Sequence, residues 1–172
     1  MPRDACSLPE MRSSRRITLA AALAALGYAL LRGRLRRYAV AEVSMSPTLE
    51  PGDYIIAQSR NEAVQRGDII VFDHPHRPSF ELVKRVIGLP GESVEVSGGQ
   101  VHCNDATVAE PWADGPTLPE GSWQLEPGEV FVLGDNRSAS AADSRTLGPI
   151  PIDETHWKVV ARYWPIRSAG RL

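Results

Sequence analysis

The chain has 172 residues and a formal net charge of −2, enough for one domain with a sizeable core and a short segment beside it, but not for a second independent domain. A nearly balanced charge offers no basic face to a polyanion, so no nucleic acid is expected as a partner. The cysteines Cys6 and Cys103 and the histidines His74, His76, His102 and His156 fall in no zinc or redox spacing, and neither a metal nor a cofactor is expected.

Residues 1–16 are polar and basic and read as a tail. Ile17 to Leu31, ITLAAALAALGYALL, carries no charge; Arg12, Arg15 and Arg16 precede it, and Arg32, Arg34, Arg36 and Arg37 follow it. A helix of that length reaches about 22 Å, short of the roughly 30 Å hydrocarbon core, and snorkelling arginines with the continuing Tyr38, Ala39 and Val40 make up part of the difference. A single-span anchor, a cleaved signal peptide and an interfacial helix are the competing readings. Arginines directly after the run oppose export past that point, so residues 17–38 are assigned as a transmembrane anchor with its basic flank. Basic residues on both sides leave its orientation open. If the run spans, Cys6 and Cys103 lie on opposite sides of the membrane and form no disulfide.

From residue 39 onward, short β-type runs alternate with Gly, Pro and Asp. Tyr54–Ala57, Asp68–Phe72, Glu81–Ile87, Ser93–Val96, Gln100–Cys103, Glu129–Leu133 and Trp157–Tyr163 are expected strands. Gly98 and Gly99 supply the positive φ of a tight hairpin turn. Ala109 to Gly128 carries four of the chain's fourteen prolines and reads as a long excursion. The expected fold is mostly β: a compact domain over residues 39–172 with a short β-hairpin insertion near 92–128, preceded by one apolar anchor helix.

Candidate chemistry lies in three stretches. VSMSPT offers Ser44 and Ser46, which taken alone read as turn residues, and no G-x-S-x-G elbow accompanies them. Of nineteen basic residues only Lys84 and Lys158 are lysines, and each sits in an apolar run. A lysine desolvated by such neighbours can lose its proton and act as a base toward a serine; otherwise it lines a strand and reaches water. The third stretch, LGDNRSASAADSRTLGPIPI, packs Asp135, Asn136, Arg137, Asp143 and Arg145 into eleven residues, either a hydrogen-bonded support loop or a solvated turn.

Together, and in this order, SMSPTLEPGDYIIA, LVKRVIGLPGESVEV and LGDNRSASAADSRTLGPIP resemble the type I signal peptidases, membrane-bound Ser-Lys proteases that include the mitochondrial inner-membrane peptidases. The resemblance spans roughly residues 40 to 165. It implies Ser44 as nucleophile and Lys84 as general base, with Arg85 following. It further implies Ser140 as a hydrogen-bond partner of the lysine and Asp143 with Arg145 as a supporting ion pair. Val40, Met45, Leu82 and Val83 are implied to line shallow apolar subsites. Two departures stand out. Two alanines, Ala141 and Ala142, separate Ser140 from Asp143 where the family pattern has one residue. Glu42 stands where some members carry an oxyanion-stabilising serine, so the Ser44 N–H is expected to supply most of that stabilisation, with Glu42 directed elsewhere.

The activity implied is that of a membrane-bound serine endopeptidase cleaving signal peptides from exported preproteins, with small residues one and three positions before the scissile bond. Its implied partners are those preproteins and membrane lipid. Its implied place is the cell membrane, single-pass, with the β domain on the extracytoplasmic face. The alternative is a dedicated maturation protease acting on one precursor, and an inactive binding module is the reading outside catalysis.

Overall fold

The computed structural model describes residues 27–28, 33–60 and 62–172. The tail 1–16 lies outside them, as does the apolar run from Ile17 except Gly27 and Tyr28, which are helical. Among the described residues no helix is long and apolar enough to cross a membrane. The chain divides into two units, Met1–Arg34 and Leu35–Leu172, and the second is a β domain.

Its largest sheet is built on β3 (Ile69–His74), where Ile69, Ile70, Val71 and Phe72 are all buried. Successive residues of a strand face opposite sides. Ile69 and Val71 accordingly pack with Val40, Met45, Leu49 and Ile55, while Ile70 and Phe72 pack with Leu82, Val86, Val130 and Val132. A strand buried on both faces must be central, and β3 is flanked by β11 (Trp157–Trp164) and β4 (Arg77–Gly88). The order continues outward through β2 (Tyr54–Ser59) to β1 (Leu35–Ala39) on one side. On the other it runs through β9 (Glu129–Leu133) to β10 (Ile150–Pro151), and β12 (Gly170–Arg171) adds to β11.

A second sheet of four strands runs β7-β6-β5-β8, formed by β5 (Ser93–Ser97), β6 (Gln100–Cys103), β7 (Ala106–Thr107) and β8 (Gly121–Gln124). Gly98 and Gly99, both at positive φ, make its tight turn. Val94, Val96, Val101 and Cys103 pack on Ile87, Phe131 and Leu133 of the main sheet. The joint between the sheets is close. A Cβ on Gly88 would come within 2.6 Å of Val94 and 2.9 Å of Leu125, so only glycine fits there.

Two expectations differ from what is observed. The flank assigned to the anchor ends at Tyr38, and its last four residues instead belong to strand β1, Leu35–Ala39, paired along its length with β2. Two residues of one face hold it there: Tyr38 packs on the core, and the Arg36 guanidinium lies 4.6 Å from the centre of the Trp157 ring. The insertion near 92–128 carries four strands rather than a lone hairpin, because β8 emerges from the end of the proline-rich excursion and pairs with β5.

Candidate active site

Ser44 sits in a short 3₁₀ turn, Val43–Met45, within the loop joining β1 to β2. The loop is pinned where it leaves and rejoins the sheet. The Val40 N–H donates to the Asp53 carbonyl, and the Gly52 N–H donates to the Val40 carbonyl. Asp53 is itself held by Arg162 at 2.8 Å, and Met45 and Leu49 drive the loop's interior into the core. Ser44 is left at the end of a groove, 7% exposed.

Lys84 lies in the middle of β4, opposite Ile70 on β3. It is 2% exposed, and its Nζ stands 2.7 Å from the Ser44 Oγ. Burial is the dominant influence on the amine and lowers its pKa below the usual lysine value. The Asp143 and Glu42 carboxylates oppose that shift, Arg145 adds to it, and Asp135 weakly opposes it. A neutral amine at this distance can accept the serine proton.

The alternatives within the sequence separate on geometry. The Ser46 Oγ donates to the Glu50 carboxylate at 2.8 Å and braces the turn. Lys158 is ion-paired with Asp68 at 2.7 Å and remains partly solvated.

Arg85, adjacent to Lys84, projects from the opposite face of the strand. Its guanidinium makes a two-pronged pair with Asp135 at 2.8 and 2.6 Å, and also donates to the Thr48 hydroxyl and the Gly67 carbonyl. One strand thus supplies Lys84 and, through Arg85, a tie between the SMSPT turn and the GDNR loop.

The loop 134–142 follows β9 and returns toward Ser44. The Asn136 N–H donates to the Ser44 carbonyl at 3.1 Å. A Cβ on Gly134 would overlap both that carbonyl oxygen and the Ser140 side chain, so the approach requires glycine. Asp143, fully buried, caps helix α1 (Ser144–Leu147) by accepting from the Arg145 N–H. Its carboxylate also accepts two guanidinium bonds from Arg145, at 3.0 and 2.8 Å, and one from the Gly134 N–H.

The Ser140 hydroxyl departs from expectation. It donates to Asp143 at 2.7 Å rather than bonding Lys84. An ionised carboxylate three residues along is the stronger acceptor, and the two intervening alanines let the chain fold back to reach it.

The groove beside Ser44 holds about 130 Å³ and is lined by Val40, Leu82, Val83 and Met45, with Glu42 and Phe80 also on its walls. All four apolar residues assigned from the sequence reach it, but Met45 is only 1% exposed and belongs chiefly to the core. Its main contribution is to anchor the turn.

Several residues were not identified as partners in the sequence. Asp135 pairs with Arg85, Thr48 accepts from Arg85, and Glu110 pairs with the buried Arg137 at 2.5 Å. The GDNR spelling signalled that Asp135 and Arg137 matter. Nothing in the excursion Ala109–Gly128 signalled Glu110.

The family model described as "Signal peptidase, peptidase S26" matches residues 12–164. A protein named Signal peptidase I from Leptolyngbya laminosa is 41% identical over 150 residues, covering 79% of this chain and 71% of that protein. One of the same name from Bacillus caldolyticus is 38% identical over 149 residues, covering 76% of this chain and 80% of its own length. A crystal structure of a signal peptidase I from Enterococcus faecalis V583 superimposes with a TM-score of 0.48 at 29% identity, covering 54% of this chain and 93% of that one.

Proposed function

The chain belongs to the S26 family of signal peptidases; it is a serine endopeptidase that cleaves signal peptides, and we propose that Ser44 and Lys84 form the dyad that does so. The observation that carries this assignment is the 2.7 Å contact between the Lys84 amine and the Ser44 hydroxyl in a water-poor pocket. The neutral amine takes the hydroxyl proton as Oγ attacks the carbonyl before the scissile bond, then returns it to the leaving amine. The acyl-enzyme is released by a water that the same amine deprotonates.

The Ser44 N–H is assigned to the developing oxyanion. Asp143, Arg145, Arg85 and Asp135 hold the two reacting side chains in register, and Ser140 contributes by holding Asp143. The substrate lies as an extended strand between Val40 and Leu82–Val83, whose groove admits small side chains and excludes large ones by overlap. Preproteins with small residues before the cleavage site fit that shape.

The apolar run Ile17–Leu31 is proposed to supply a single-pass membrane anchor, with the catalytic domain on the extracytoplasmic face where exported chains emerge. A shared membrane concentrates enzyme and substrate together.

The test is cleavage of an Ala-x-Ala preprotein in detergent by wild type, Ser44→Ala and Lys84→Arg. Both variants are expected to lose on the order of a thousandfold or more in turnover, as residues acting as one catalytic unit do. Cleavage near the wild-type rate in both overturns the dyad.

A further inference from the structure

The proline-rich excursion is fastened to the guanidiniums of Arg85, Arg137 and Arg145. The Trp112 ring lies 4.7 Å from the Arg85 guanidinium and also covers Gly67. Glu110 makes a two-pronged pair with Arg137, at 3.0 and 2.5 Å, and both side chains are nearly inaccessible. The Thr117 hydroxyl accepts from the same guanidinium, and the Leu118 carbonyl accepts from Arg145.

Between these fasteners the backbone of Asp114 bonds the GDNR loop twice. Its N–H donates to the Asp135 carbonyl at 2.8 Å, and its carbonyl accepts from the Arg137 N–H at 3.1 Å. Those two bonds bracket Asn136, whose own N–H holds the Ser44 carbonyl. A continuous path therefore runs from the excursion to the peptide unit carrying the nucleophile.

We propose that Glu110–Leu118 is a positioning strap for Ser44: through Asp114 it holds Asn136 against the Ser44 carbonyl, and Trp112 and Glu110 are the positioning residues that fasten it. The proposal rests on the assignment of Ser44 and Lys84 as the dyad. Neither Trp112 nor Glu110 lines the groove beside Ser44, so loosening the strap acts on chemistry and leaves substrate binding intact. Misplacing a reacting atom by about 1 Å can cost about a hundredfold in turnover, so a smaller shift of the Ser44 peptide accounts for a loss of about tenfold.

Trp112 also provides a matched control. Its Nε1 is the buried side-chain polar atom without a hydrogen-bond partner among the described residues. Phenylalanine keeps an aromatic ring beside Arg85 while giving up the unsatisfied donor and the second ring of the indole.

The experiment measures kcat and KM for an Ala-x-Ala peptide with the full-length protein in detergent, well below each variant's melting temperature. Wild type is compared with Trp112→Ala, Trp112→Phe, Glu110→Gln and Ser44→Ala. The strap predicts that Trp112→Ala lowers kcat about tenfold with KM within about twofold, and that Trp112→Phe recovers most of the loss. Glu110→Gln lowers kcat in the same manner, and it decides the matter if Trp112→Ala does not fold. A kcat within twofold of wild type for the folded variants overturns the strap even if their melting temperatures fall, as does a loss carried by KM. An inactive Ser44→Ala beside such variants leaves the dyad standing and removes the strap alone. An active Ser44→Ala overturns both.

Discussion

At the scale of single residues the site turns on a lysine that burial makes a poor home for charge. Lys84 is held below the ordinary lysine value of 10.5, chiefly by desolvation. Activity therefore rises with pH as the amine loses its proton, with the rise centred below 10.5, and kcat/KM against pH reads it directly. The same shift makes a stability prediction. Below the folded-state pKa the native protein buries a charge that the unfolded chain hydrates, and the penalty vanishes as pH rises toward 10.5 and the unfolded chain also deprotonates. Lys84→Met should therefore be inactive yet more stable at neutral or lower pH, with the advantage shrinking in alkali; thermal melts across pH check it. Glu42 favours the protonated amine, so Glu42→Gln should move the rise in activity to lower pH while leaving the maximal rate nearly unchanged. A large loss of maximal turnover would place Glu42 in the chemistry instead.

At the scale of elements, β4 sends Lys84 to the nucleophile from one face and Arg85 to Asp135 from the other, so a one-residue slip of its register against β3 would exchange them. The loop after β9 meets Ser44 through a glycine that admits no Cβ. Gly134→Ala should cost about 1–3 kcal/mol by overpacking and reduce turnover as well, since the obstructing atoms include the Ser44 carbonyl; melting temperature and kcat should fall together. Elements with local signals were legible in the sequence. Runs of β-branched residues marked β3, β5 and β9, and Gly98-Gly99 marked the hairpin turn, because alternation and positive φ are properties of a few adjacent residues. Strand β1 was hidden by its composition: Leu-Arg-Arg-Tyr-Ala reads as a basic flank, and only the free edge of β2 makes it a strand. Ser140 was misassigned because its choice between Lys84 and Asp143 depends on the fold of Ala141–Ala142. The partners of the arginines were illegible for a related reason. Glu110 and Arg137 are 27 positions apart, and nothing local pairs them.

At the scale of the whole molecule, two sheets packed through Ile87, Phe131 and Leu133 give the reacting groups a stiff base. The pieces of the site come from three distant parts of the chain, each carried on or beside a strand of the larger sheet. The N-terminal apolar run adds the proposed membrane anchor. Vesicles containing the full chain should shield residues near Ile17–Leu31 from added protease while leaving the β domain accessible from the extracytoplasmic side alone. Release of the intact protein from those vesicles by high salt would instead indicate a peripheral association. The central claim, that Ser44 is a nucleophile activated by Lys84, is tested most directly by following covalent capture of a serine-reactive acylating inhibitor as a function of pH, with the modified residue located by mass spectrometry. The account predicts a single adduct on Ser44, forming faster as pH rises and failing to form in Lys84→Arg. An adduct on another serine, or capture of Ser44 at the wild-type rate without Lys84, would contradict it.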